Sequence, residues 1–166
     1  MLITVLALTS ALAATTPQSD PFAPLRPLVG EWTNVEGGGE PGNVSAGELS
    51  FRLELSGRVL VRRSFTDFPA HDNQPALHHE DLMLIYVESQ SMRALYLDNE
   101  GHSIRYAVSV VGPVVTFLSE EAASPAPRQR LTYRIEGPDT ITLAFDLAAP
   151  GENFVNHVHA RIARKK

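Results

Sequence analysis

The chain contains no cysteine. Disulfides therefore cannot hold it together, and thiolate metal sites are ruled out. Positive charge is also in short supply, with 14 Lys and Arg against 19 Asp and Glu, a formal net charge of −5. That balance argues against nucleic acid as a partner, because nucleic-acid binding needs a basic patch. It also gives no steering toward anionic membranes. No apolar run reaches the ~20 residues that span a bilayer as a helix. Amphipathic helices are missing too. The one helical hint, "DPFAPLRPLVG", carries Pro21, Pro24 and Pro27, which limit it to a turn or two. There is no Gly-x-Ser-x-Gly, no phosphate-binding loop and no Cys–His pair. With no acid–base pair to place, an enzyme working without a cofactor is the least favoured class.

What remains is a chain of 166 residues, 43% hydrophobic and 20% charged, a composition that fits one globular domain. A domain of this size buries roughly two thirds of its unfolded surface, so its core can hold it without staples. Residues 1–13 are set apart. They hold no charged side chain and end in Ala11-Leu12-Ala13, the small-x-small pattern of a cleaved export signal. The positive charge ahead of the run comes only from the amino terminus, and a misplaced start codon or a disordered tail is the competing reading. Export would deliver a mature chain from Ala14 to the periplasm or the medium, not inserted in a membrane. Residues 14–28 then form a lead-in with a short helical turn, and 29–166 the main domain. Asn43-Val44-Ser45 is a formal glycosylation sequon, meaningful only in a eukaryotic secretory pathway.

From Val29 onward the pattern is strand, turn, strand. In "ELSFRLEL", Leu49, Phe51, Leu53 and Leu55 alternate with Glu48, Ser50, Arg52 and Glu54, the period of two that marks a half-buried strand. Ser56-Gly57 makes a tight turn into "RVLVRRSFTD", and "DNEG", Gly112-Pro113 and "GPDT" punctuate the rest. In "HSIRYAVSVV", Ile104, Tyr106, Val108 and Val110 share a face opposite Arg105. The expectation is an all-β fold with about ten short strands and hairpin connections. Closing such a meander into an antiparallel barrel removes its edges; a two-sheet sandwich is the alternative.

At the start of the barrel stands "LVGEW", with Gly30 and Trp32 opening the first strand. This resembles the calycins, the lipocalin-like barrels in which such a tryptophan closes one end beside a basic residue of the last strand. The resemblance implies that Trp32 packs against Arg164 or Arg161. More narrowly, "PFAPLRPLVGEW" and "HVHARIARKK" resemble nitrobindin, a ten-stranded haem-binding calycin. "ALHHEDLMLIY" and "DNEGHSIRY" look more like bacterial lipocalin-like proteins. Nitrobindins carry glycines where this chain has Asn34 and Glu36. The resemblance implies haem b as a cofactor with His157, in "HVHA", as its axial ligand, and action on nitric oxide or isomerisation of peroxynitrite.

The residues themselves leave several readings open. On the last strand the apolar parity of Phe154, Val158, Ala160 and Ile162 should point inward, placing His157 and His159 outside. His102 shares a face with Ile104 and Tyr106, so His102, Tyr106 and Trp32 are the candidate ligand-binding residues, with a hydrogen-bonded core role as the competing reading for His102. "HHED" puts His78 with Glu80 on one face and His79 with Asp81 on the other, two ligands short of a metal site. Arg62 shares parity with Leu60 and Ser64 without a clear side. Small barrels enclose a ligand or fill themselves with side chains. The functional expectation is an exported barrel holding a small hydrophobic molecule. Its alternatives are the haem barrel and a filled barrel with a structural role.

Overall fold

The structure is a computed structural model that describes residues 20–37, 46–70, 75–120 and 126–166. The proposed export signal, the start of the lead-in and the Asn43 sequon lie outside them. Ten antiparallel strands close into a barrel: β1 (Gly30–Gly37), β2 (Ala46–Glu54), β3 (Val59–Phe68), β4 (Leu77–Glu88), β5 (Ser91–Asp98), β6 (Ser103–Val111), β7 (Val114–Ser119), β8 (Arg128–Gly137), β9 (Thr140–Ala148) and β10 (Val155–Arg164). Each strand pairs with its sequence neighbours, and β10 closes on β1 through Trp32 opposite Arg164. The sandwich alternative is therefore set aside. Among the described residues, closure gives every strand two neighbours and so leaves no edge strand.

"DPFAPLRPLVG" forms one 3-10 helix, Ala23–Leu28, kept short by its prolines. It plugs the end of the barrel where β1 begins. Phe22, Leu25 and Leu28 from this plug join Trp32, Phe51, Leu60, Ile85, Phe117, Tyr133 and Ile141 in one buried cluster. Three aromatic rings stack edge to face there, with Tyr133 against both Phe51 and Phe117 at centroid distances of 5.5 and 5.9 Å. Such pairs contribute ~0.5–1.5 kcal/mol beyond area burial.

Trp32 is the centre of the closure. Its indole Nε1 donates to the Leu28 carbonyl at 2.8 Å, and the Arg164 guanidinium lies 4.2 Å from its ring centroid. Arg164 also donates to the carbonyls of Val29, Pro27 and Pro138 at 2.8–3.0 Å, so one side chain clamps the plug, the first strand and the β8–β9 turn. Gly30 makes room for it. A Cβ there would sit 2.3 Å from Arg164 Nη1, and the residue's φ of +135° suits only glycine. The Gly-x-Trp motif thus has a packing reason: the glycine admits the arginine that covers the tryptophan.

Two expectations about side-chain direction need correction. Leu55 is not on the inward face of β2. It leaves the strand at the hairpin, in a turn over Leu55–Gly57 whose residues all take positive φ, and is 72% exposed. Phe154 does not point inward with Val158. A bulge between Asn156 and Val158 shifts the register against β9, and Phe154 lies outside, under Arg130 and Arg128 at 4.4 and 4.9 Å. One extra residue reverses parity on its far side.

Candidate functional site

Moving from the plugged end to the other, the inward positions change chemistry strand by strand. On β3 they run Leu60, Arg62, Ser64, Thr66; on β4 Ile85, Met83, Asp81, His79; on β5 Ala94, Tyr96, Asp98. Large apolar side chains fill the first half, and shorter or polar ones leave space in the second. The result is a cavity of about 510 Å³, within the range of small-molecule sites. Trp32 lies at its floor, and Glu100 and His102, both exposed, stand at its mouth.

The lining has two unlike walls. β8, β9 and β10 contribute the apolar Leu131, Leu143, Phe145, Val158, Ala160 and Ile162, with Gln129 of β8 as their one polar side chain among the described residues. Facing them, β3 to β6 contribute Arg62, Ser64, His79, Asp81, Tyr96 and Asp98.

At the deep end of the polar wall Arg62 and Asp81 form a buried pair, 6% and 5% exposed. Arg62 Nη1 lies 3.0 Å from Asp81 Oδ1, Nη2 donates to Ser64 Oγ at 3.1 Å, and Ser64 Oγ donates to Asp81 Oδ2 at 2.9 Å. Burial works against charge on Arg62, but Asp81 and the phenols of Tyr133, Tyr96 and Tyr106 outweigh it and hold the guanidinium charged. Arg62 Nε has no hydrogen-bond partner among the described residues. Burial likewise pushes the Tyr133 hydroxyl up to about 12 and drives Tyr96 and Tyr106 higher still, so all three phenols stay neutral donors.

Toward the mouth the network continues through His79. Its Nε2 meets the Tyr96 hydroxyl at 3.1 Å and its Nδ1 meets Glu100 at 2.7 Å. The Tyr96 hydroxyl donates to Asp98 at 3.2 Å. Asp98 also accepts from the backbone amides of Glu100 and His102 and contacts His102 Nδ1 at 2.8 Å. Burial opposes charge on Asp98, but the amide and ring of His102 prevail and hold its carboxyl below the usual range.

Of the residues singled out by sequence, Trp32, His102 and Tyr106 all line the cavity. They do so at different depths. Trp32 is at the floor, and Tyr106 is buried with its hydroxyl donating to Gln129 Oε1 at 3.1 Å. His102 is at the rim, its side chain 61% exposed rather than part of the core.

His157 sits in the β10 bulge, exposed, and does not line the cavity; His159 is exposed on the same outer surface. A haem inside the barrel could not take His157 as its axial ligand, so these residues do not fit the group. No three His, Asp or Glu among the described residues are placed to hold a metal ion. His78 pairs with Asp67 on the outside at 2.6 Å, apart from His79.

Arg62 and Asp81 are the pair that sequence reasoning did not bring together, though a signal existed. The hairpin turn after β2 sets Phe51 opposite Arg62, and partners across an antiparallel pair share a face. Phe51 has core parity, so Arg62 follows it inward.

No family model matches the chain, and no curated protein matches it. Among solved structures it is similar to Rv2717c from M. tuberculosis, with a TM-score of 0.61 and 18% identity over 89% of this chain and 99% of that one. At that identity the likeness is one of fold: a closed ten-stranded antiparallel barrel.

Proposed function

We propose that this protein is a small-molecule-binding barrel of the calycin type, holding a largely apolar ligand inside. The observation that carries the reading is the cavity of about 510 Å³, floored by Trp32 and open at the opposite end. A structural barrel gains nothing from such a space, since unfilled interior forfeits dispersion contacts. The Trp32–Arg164 closure agrees with the calycin resemblance. Export is part of the same proposal and rests on the charge-free run 1–13 with its Ala11-Leu12-Ala13 ending.

Native mass spectrometry of protein purified from its own host tests both parts. The expected result is a chain beginning at Ala14 and carrying a co-purified ligand that organic solvent extracts. A partner measurement uses Nile red, an uncharged dye that brightens in apolar surroundings. It should bind the wild type saturably and lose that binding in Val158→Trp, which fills the cavity from β10. Equal dye binding in both proteins would overturn the reading.

A further inference from the structure

Resting on that binding reading, we infer the ligand's class: an uncharged amphiphile that sets hydroxyl or carbonyl oxygens against the β3–β6 wall and Gln129, and hydrocarbon against the apolar side chains of β8–β10. The division of the lining calls for two unlike flanks. Leu131, Leu143, Phe145, Val158, Ala160 and Ile162 offer no polar side-chain atom, so a polar group placed there would lose its water without replacement. The opposite wall satisfies most of its polar groups internally and can still meet a polar head with hydrogen bonds.

Charge then narrows the class. Among the described residues Arg62 is the sole Lys or Arg lining the cavity, and Asp81 already neutralises it at 3.0 Å. Asp98 and Glu100 line the same wall, while the more peripheral Glu48 is tied to Lys165 at 2.7 Å. Carboxylates therefore outnumber the guanidinium, and an anionic head would meet like charge in a partly desolvated space. A cation finds no open place either. Asp81 is held by Arg62 and Ser64, Asp98 by two amides, Tyr96 and His102, and Glu100 by His79. An ammonium group would have to displace these partners and shed its own water.

The unpartnered atoms of Arg62, Asp81 and Tyr133 are sealed within the wall, and the uncommitted groups at the cavity surface can donate. On β3 the Thr66 hydroxyl lines the cavity, and among the described residues no hydrogen bond engages it. Gln129 accepts from Tyr106 through Oε1, and among the described residues nothing engages its amide nitrogen. Donors of this kind suit an uncharged oxygen acceptor.

The test uses dodecanol, dodecanoic acid and dodecylamine, identical in chain and different in head, each displacing Nile red at pH 7. Dodecanol should displace the dye at concentrations about tenfold below either charged probe. In Asp81→Asn, which leaves Arg62 uncompensated, the acid should gain on the alcohol by about tenfold. Because that variant disturbs a buried pair, Glu100→Gln provides a second case at the rim, with the same direction and a smaller shift. Equal displacement by all three probes, or tightest binding by the acid or the amine, overturns the inference and leaves the binding function standing. Failure of every probe, together with no Nile red binding, overturns both.

Discussion

The two ends of this barrel are built from the same ten strands and differ in what their inward positions carry. At the plugged end Trp32, Phe51, Leu60, Ile85 and Tyr133 interdigitate with the 3-10 helix, and their side chains are almost fully buried. At the open end the same strands present Ser64, Thr66, His79, Asp98 and Ala160 around empty space. One end is a hydrophobic core, and its contribution grows with apolar area buried. The other gives up that contribution and invests its polar groups in one another. Along β3, β4 and β5 the alternation in and out is unbroken from one end to the other, so there the division between stability and binding is made by side-chain size and polarity.

The comparison breaks first at Trp32. Trp32→Ala should cost ~3–5 kcal/mol of unfolding free energy in urea, through lost packing and the vacated cavity. An unchanged denaturation midpoint would mean that the plugged end is not the stabilising one.

At the open end, Asp81→Asn tests the other half. Removing one partner from a buried ion pair leaves an uncompensated charge, so the loss should be about 3 kcal/mol. The double change Arg62→Met with Asp81→Leu should recover most of it, and recovery rather than loss alone identifies the pair as a satisfied polar unit in a cavity wall.

The three phenols sharpen the boundary between the ends. Burial raises the Tyr133 hydroxyl from its ordinary value near 10 to about 12, and shifts Tyr96 and Tyr106 in the same direction. A raised folded-state value means that the unfolded chain loses its protons first. The stability contribution is therefore complete below about pH 10 and falls as pH climbs through the folded values. Urea unfolding followed from neutral to strongly alkaline pH should show this decline, and Tyr133→Phe should make it shallower.

The smallest effect belongs to the outer surface. His157→Ala should change stability by less than about 0.5 kcal/mol, as for most exposed positions. Hemin titrations followed by absorption should give superimposable spectra for the wild type and this variant. A band present in the wild type and absent in His157→Ala would restore the haem reading that "HVHA" suggested.

Much of this was legible in the sequence because it is local. Alternation in "ELSFRLEL" and "HSIRYAVSVV" gives the strands, the turn residues give the hairpins, and the last strand's parity sends His157 and His159 outward. Even the burial of Arg62 was within reach through its hairpin partner Phe51. The places where pattern reading failed are Leu55 and Phe154. In each, a turn or a bulge ended the regular geometry that parity presumes.

By itself, then, the sequence determined that the chain is an all-β meander, where its strands run, and that Gly30 and Trp32 begin it. Period-two alternation and turn chemistry act between near neighbours and need no distant partner. Only the tertiary structure decided that the interior is half filled, that β8–β10 face β3–β6 as a mainly apolar wall against a more polar one, and that Asp81 neutralises Arg62. The first two depend on side chains from strands far apart in the chain meeting across a closed barrel, and the third on two side chains of neighbouring strands turning into one interior. Volume and charge compensation at such a meeting are properties of the whole ring, and no single strand carries them.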